Sequence, residues 1–185
     1  MTAEGTPSPF VQALHGLHDR RLRAEVRLSE VPAPSRIAPY AVALSAEVDP
    51  NGDGEDVGSG RFVLLHDPAG QETWDGTFRV VTLSRATLDP ELSGDPLLCD
   101  VAWSWVVDAL TGVPHRELGG TVTQIVSQSF GTLSERPDAV EVEIRASWSP
   151  EGDAGEHLQA WADLLCTAAG LPPLPSGVTA LGRPR

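Results

Sequence analysis

The chain has 185 residues, 41% of them apolar and 21% charged, ordinary values for one folded domain that needs no disulfide staples. Its formal net charge is −13, and the excess lies beyond residue 40: residues 1–40 hold five Arg against four acids, the remainder eight against twenty-two. So acidic a body repels phosphate backbones and anionic membrane surfaces, which sets direct nucleic-acid binding and membrane association aside as expectations.

All thirteen basic residues are arginine. Schiff-base chemistry, a phosphate-loop lysine and a lysine general base are therefore excluded. Abundant Ala, Gly and Pro beside the missing lysine read as the codon bias of a GC-rich genome. Cys99 and Cys166 lie in apolar helical runs, as expected of reduced, buried thiols in a cytosolic protein. Met1–Pro9 lacks both the charged start and the apolar segment of a signal peptide. The most apolar run, Leu97–Leu110, contains two Asp and is too short to span a bilayer. The expected location is the cytoplasm.

In chain order, SPFVQALHGLHDRR predicts a helix capped by Ser8 with Pro9 at its first position, burying Phe10, Ala13, Leu14 and Leu17. AEVRLSEV and YAVALSAEV alternate as half-exposed strands, the second with Val42, Leu44, Ala46 and Val48 on one side. RFVLLHD and TFRVVTLS are partly apolar on both faces and belong in the middle of a sheet. Asp95–Pro96 starts a second helix that ends near Gly112. On it Asp100, Ser104 and Asp108 form a polar strip about 80° wide, while Ala102, Val106 and Ala109 are small enough for close approach to the sheet. GTVTQIVSQSF and AVEVEIRASW are two long strands, and EHLQAWADLLCTAA is a third helix burying Leu158, Trp161, Ala162 and Leu165.

The order α-β-β-β-β-α-β-β-α predicts a single two-layer α+β domain over residues 9–170, with a mostly antiparallel sheet of about six strands and three helices on one face. Residues 1–8 and the Pro/Gly-rich tail 171–185 are expected to be flexible. A dinucleotide fold is excluded, because strands follow strands without crossover helices and no glycine fingerprint is present.

The blocks RAEVRLSEVPAPSRIAPYAVAL, GRFVLLHDPAGQETWDGTFRVV, DPLLCDVAWSWVVDAL, GGTVT and EIRASWSP resemble an actinobacterial family, domain of unknown function 3000, from about Phe10 to Pro150. The resemblance implies a bacterial cytosolic protein of high-GC type. It brings no established activity, substrate or catalytic residue to carry over. The family is also associated with gene neighbourhoods containing a ribonuclease-D-like gene, which adds an RNA-metabolism factor as a further alternative.

Several constellations carry potential chemistry. Asp49, Asn51, Asp53 and Gly54 match the first half of a calcium loop, but its twelfth position is Gly60 and its flanks are strands, so a solvated acidic hairpin loop is the better reading. His15 and His18 have metal-ligand spacing without a completing set, and no metal or cofactor is expected. HDPAGQETWDG gathers His66, Asp67, Glu72, Trp74 and Asp75 in one strand-to-strand connection. A general base with a carboxylate orienter could be built there, although Asp-Pro-x-Gly is itself a turn signal. Arg61, Arg79 and Arg145 on neighbouring strands complete the ligand-binding candidates. Arg79 and Arg145 are expected on an outward face, paired cross-strand with Glu141 or Glu143. No nucleophile elbow exists and neither cysteine has an adjacent histidine, so no catalytic residue is assigned.

Three functional readings follow. The first is a non-enzymatic binding or adaptor domain, chaperone-like, acting through a protein partner or homodimer on the uncovered sheet face. The second is a small enzyme or ligand-binding domain using the His66–Asp75 loop. The third, the RNA-associated factor, requires a basic patch from Arg20, Arg21, Arg23, Arg27 and Arg36.

Overall fold

Period-two alternation lays six antiparallel strands into one open sheet. The computed structural model describes residues 5–174 and has the expected order, α1 (Ser8–Asp19), β1 (Val26–Val31), β2 (Tyr40–Val48), β3 (Gly58–Gln71), β4 (Gly76–Leu88), α2 (Leu98–Ala109), β5 (His115–Ser127), β6 (Ala139–Pro150) and α3 (Ala154–Ala168). The strand order is β1-β2-β3-β4-β6-β5. The doubly apolar β3 and β4 are central, as their sequences require. Short 3-10 turns at Glu72–Trp74, Pro90–Gly94 and Gly131–Leu133 are additions that the sequence reading did not contain.

All three helices lie on one face. Phe62 and Leu64 of β3, Val80 of β4 and Val142, Ile144 and Trp148 of β6 form the buried core with Leu158, Trp161 and Leu165 of α3. Two glycines permit the close packing. A Cβ on Gly60 would come within 2.8 Å of the Trp161 ring, and one on Gly120 within 2.8 Å of the Trp103 ring. Each indole therefore rests on bare strand backbone. Trp161 also donates its Nε1–H to Ser84 Oγ at 3.1 Å, which satisfies its polar end in the core.

Local corrections concern element ends. Ser8 is the first residue of α1 and not its cap; Pro7 precedes it, and no side chain caps the helix. Asp95 closes a turn by accepting Leu97 N–H at 2.8 Å, and α2 begins only at Leu98 and ends at Ala109. On α2, Ala102 and Val106 are fully buried as expected. The solvated side is broader than the polar strip, because Leu97, Val101 and Val107 are exposed with Asp100, Ser104 and Asp108. The expected tail starts with an anchored segment. Leu171 N–H donates to Cys166 O at 2.9 Å and Arg23 Nη1 to Pro172 O at 2.8 Å. At the other end Gly5 O accepts Tyr40 Oη–H at 3.1 Å. The remaining expectations for residues 1–4 and 175–185 lie outside the described residues. Among the described residues, no helix is long and apolar enough to cross a membrane.

Candidate functional site

The helix-free face of the sheet is the surface that the fold leaves open. Antiparallel register sets Ser45, Arg61, Leu83, Arg145 and Thr121 side by side across five strands. The next row on one side is Ala43, Val63, Val81, Ser147 and Gly119; on the other it is Glu47, Ser59, Arg85, Glu143 and Thr123. Side chains directly opposite one another share a face, so these rows form one continuous surface.

Part of it is covered. The 3-10 turn at the tip of the β3–β4 hairpin folds Trp74 over Ala43, Val63 and Leu65, with Val31, Ala33, Ala38 and Ala41 at the margin. Ser149 Oγ–H donates to the Trp74 carbonyl and fixes the turn. Asp75 follows in the left-handed region at φ 48°, held by Arg116, whose Nη1 lies 2.6 Å from its carboxylate and whose Nε lies 2.6 Å from Glu151. The rest of the face is open, with Val81 40% exposed.

Its electrostatics are those of a small basic island. Glu143, buried at 7% exposure, lies 2.6 Å from Arg85 and 2.7 Å from Arg145. The hydrogen bond from Arg85 and the two positive charges hold its carboxyl below the ordinary range despite burial. Arg145 thus has an acidic neighbour, but on its own strand and not across strands as expected. Arg79 does not: its Nη1 donates to Glu117 O at 2.9 Å and Ser149 Oγ at 3.1 Å, and its Nη2 to Ser147 Oγ at 2.7 Å. Burial lowers its pKa. The carbonyl it uses belongs to Glu117, in the left-handed region at φ 53° beside the bulge in β5. Arg61, exposed at the centre, has no salt bridge or side-chain hydrogen bond among the described residues.

The profile of the family described as Protein of unknown function (DUF3000) matches residues 6–179. The chain belongs to this family. No curated protein and no solved structure matches it.

The DUF3000 fold divides the sequence-derived loop site between two faces. His66 lies under α1 on the helix side, its ring 4.1 Å from that of Phe78 and 5.9 Å from that of Phe10. Its Nδ1 is 3.0 Å from Thr77 O, so Nδ1–H donates and Nε2 is left buried without a partner among the described residues. Trp74 is on the opposite face. Asp67 is occupied locally by Ala69 N–H at 3.0 Å and Gln71 Nε2 at 3.2 Å, Glu72 is exposed, and Asp75 faces Arg116. The connection itself is shorter than expected, because β3 continues across a bulge to Gln71. The candidates brought to one surface are Arg61, Arg79, Arg145, Trp74 and Asp75; His66 is separated from them by the sheet.

Other candidates also resolve into structure. Asp49 accepts the N–H groups of Gly52 at 2.7 Å and Gly54 at 3.0 Å and meets Arg27 at 3.1 Å. Burial alone would raise its carboxyl, but those hydrogen bonds and Arg27 hold it below the ordinary range. Its lone pairs are spent on its own loop and on Arg27 of β1. Among the described residues no three His, Cys, Asp or Glu side chains converge as metal ligands. Of the arginines required for an RNA-binding patch, Arg23 is buried against Glu25 and Arg27 faces Glu47, Asp49 and Asp56. Cys166 is buried in α3, and burial pushes its thiol up to about 11, as suits an inert core cysteine.

A cavity of about 590 Å³ between α1 and the start of α3 has Leu64, Phe78 and Ala13 in its wall and His15 and Asp153 among its polar groups. Of the residues singled out in the sequence for chemistry, His15 lines it and its spacing partner His18 does not. Asp153 is already engaged there as the cap of α3, accepting Gly155 N–H at 3.0 Å.

Proposed function

We propose that this is a non-enzymatic protein-binding domain whose open sheet face receives an acidic, partly apolar segment of a partner protein. The observation that carries this reading is the central row Ser45–Arg61–Leu83–Arg145–Thr121, in which two arginines flank an aliphatic side chain on an uncovered sheet. Around it lie four arginines (Arg61, Arg79, Arg85, Arg145), of which Arg85 and Arg145 share Glu143, with Glu47 and Glu141 also on this face, in a chain whose net charge is −13. Guanidinium groups recognise carboxylates bidentately. At physiological salt the Debye length is about 8 Å, so this island, and not the distant acidic body, decides what binds. The division of His66 from Trp74 and the arginines supports binding over catalysis. The proposed setting is the cytoplasm of the organism that makes it.

The experiment is affinity capture from the native host with wild-type chain, Arg61→Glu and Asp100→Lys. Among the described residues Arg61 takes part in no ion pair, so its reversal leaves the fold intact. Loss of one partner with Arg61→Glu and its retention with Asp100→Lys, on the outer side of α2, is the expected result. Equal capture by all three contradicts the reading.

A further inference from the structure

The two edges of the sheet are built differently. β1 has six residues and carries Arg27 and Glu30, charges that hinder a foreign strand. β5 has thirteen residues and, among the described residues, pairs only with β6. The bulge between Arg116 and Gly119 blunts its start; from Leu118 to Ser127 it contains no charged residue and no proline, two other devices that blunt an edge. Thr121, Val122, Thr123, Ile125 and Val126 are β-branched and hold the backbone extended. The result is an uninterrupted row of outward N–H and C=O groups about 34 Å long.

Apolar surface gathers at the same place. Ile125 and Val126 are exposed on β5, and Phe130, just beyond its end, is 77% exposed. On the helix side α2 packs on β5 through Trp103 over Gly120, and Val107, one turn further along, is exposed. An edge of this kind is an invitation to strand pairing unless something covers it.

We infer that β5 pairs antiparallel with β5 of a second copy of this chain about a two-fold axis, joining the two sheets into one. An antiparallel edge is its own complement under a two-fold, since each outward N–H then meets an outward C=O. Charge favours the same arrangement. Two bodies of −13 each repel, and the charge-free stretch Leu118–Ser127 is where they approach with the one carboxylate of β5, Glu117, left at the end of the seam. The pleat restricts the register: opposed residues must share a face, so Thr121 faces Thr123 or Thr123 faces its own copy. Uncharged side chains meet at the axis in both, Val122 with its own copy in the first and Thr123 with its own copy in the second. The open faces of both copies stay accessible, and the inference rests on the edge alone, not on the acidic-partner reading.

The test is sedimentation equilibrium of the full chain, with amide hydrogen exchange read on β5. Wild type is expected at twice the 19.6 kDa of one chain, with the β5 amides that do not bond to β6 protected. In Thr123→Lys/Ile125→Lys each new ammonium faces a carboxylate of its own β6, Glu143 or Glu141, so the monomer is spared while four positive charges crowd the seam. That variant is expected at the single-chain mass, with a single cooperative melting transition that no longer depends on protein concentration and with unprotected β5 amides. Val81→Lys, on the open face, is expected to keep the doubled mass. A wild-type chain that is monomeric at its highest soluble concentration overturns the inference. So does a double variant that keeps the doubled mass, or a dimer whose outward β5 amides exchange freely because another strand or face forms the contact.

Discussion

Trp148 donates its indole N–H to Nδ1 of His157 at 3.0 Å, and His157 Nε2 lies 3.0 Å from Glu151 O. An indole N–H can only donate, so Nδ1 carries the lone pair, Nε2 carries the proton and the ring is neutral. Both side chains are almost fully buried. The pair ties the end of β6 to the first turn of α3.

Burial lowers the pKa of His157 from its ordinary 6.5, the Glu151 carbonyl opposing in part. The unfolded chain therefore takes up this proton before the folded one does. Stability from the neutral ring is complete above pH 6.5 and is lost as pH falls from there toward the lowered folded value. Thermal melts of wild type are expected to show this loss, and those of His157→Gln to lack that component. A histidine limb of equal size in both melting profiles contradicts the assignment.

Adjacent glycines in β5 are expected to behave differently. A Cβ on Gly120 meets the Arg145 carbonyl and the Trp103 ring, whereas one on Gly119 meets nothing within 4 Å. Gly120→Ala should cost about 1–3 kcal/mol by overpacking, and Gly119→Ala should stay within about 0.5 kcal/mol. Urea denaturation measures both.

On α2, Ala102 is fully buried, while Ser104 is exposed and bonds back to Val101 O at 2.6 Å. Ala102→Leu should lose about 1–3 kcal/mol by overpacking against the sheet. Ser104→Ala should be nearly silent. Loss of a cellular function in Ser104→Ala with unchanged melting would make the polar strip a functional surface.

Much of this was legible from the sequence, and the failures have physical causes. Alternation located β1, β2 and β6, apolar residues on both faces marked β3 and β4 as central, and the small residues Ala102 and Val106 marked the face of α2 that meets the sheet. The hairpin tip was misread because Asp67–Pro68 signals a turn, yet the chain bulges and extends to Gln71, turning only after Gly70 and Asp75 take left-handed angles. That geometry returns Trp74 to the face opposite His66, which nearness in sequence cannot reveal. Arg79 with Ser147 and Ser149 was invisible for a different reason: their meeting depends on pairing between β4 and β6, set by packing across α2 and β5. The alternation of β6 placed Arg145 outward correctly, but only the register shows it sharing Glu143 with Arg85.

Glu143 links structure to the proposed binding. Its carboxyl is held low by Arg85 first and by Arg145, so its contribution is full above its ordinary 4.5 and is lost as pH falls through the lowered value. Both arginines are half-exposed or more, so the effect on stability is small. The effect on charge is larger. Glu143→Gln releases two guanidinium groups on the open face and should tighten capture of an acidic partner by about 0.2–1 kcal/mol, up to fivefold. Titration calorimetry with the captured partner measures it; unchanged or weaker binding argues against an acidic contact there.

The most direct measurement places a photo-crosslinking amino acid at position 83, between Arg61 and Arg145, and for comparison at position 104 on the outer side of α2, in the native host. Adducts to one partner from position 83, none to that partner from position 104, and their loss with Arg61→Glu are the predicted results. Adducts from position 104 with none from position 83 would contradict a functional surface on the open face.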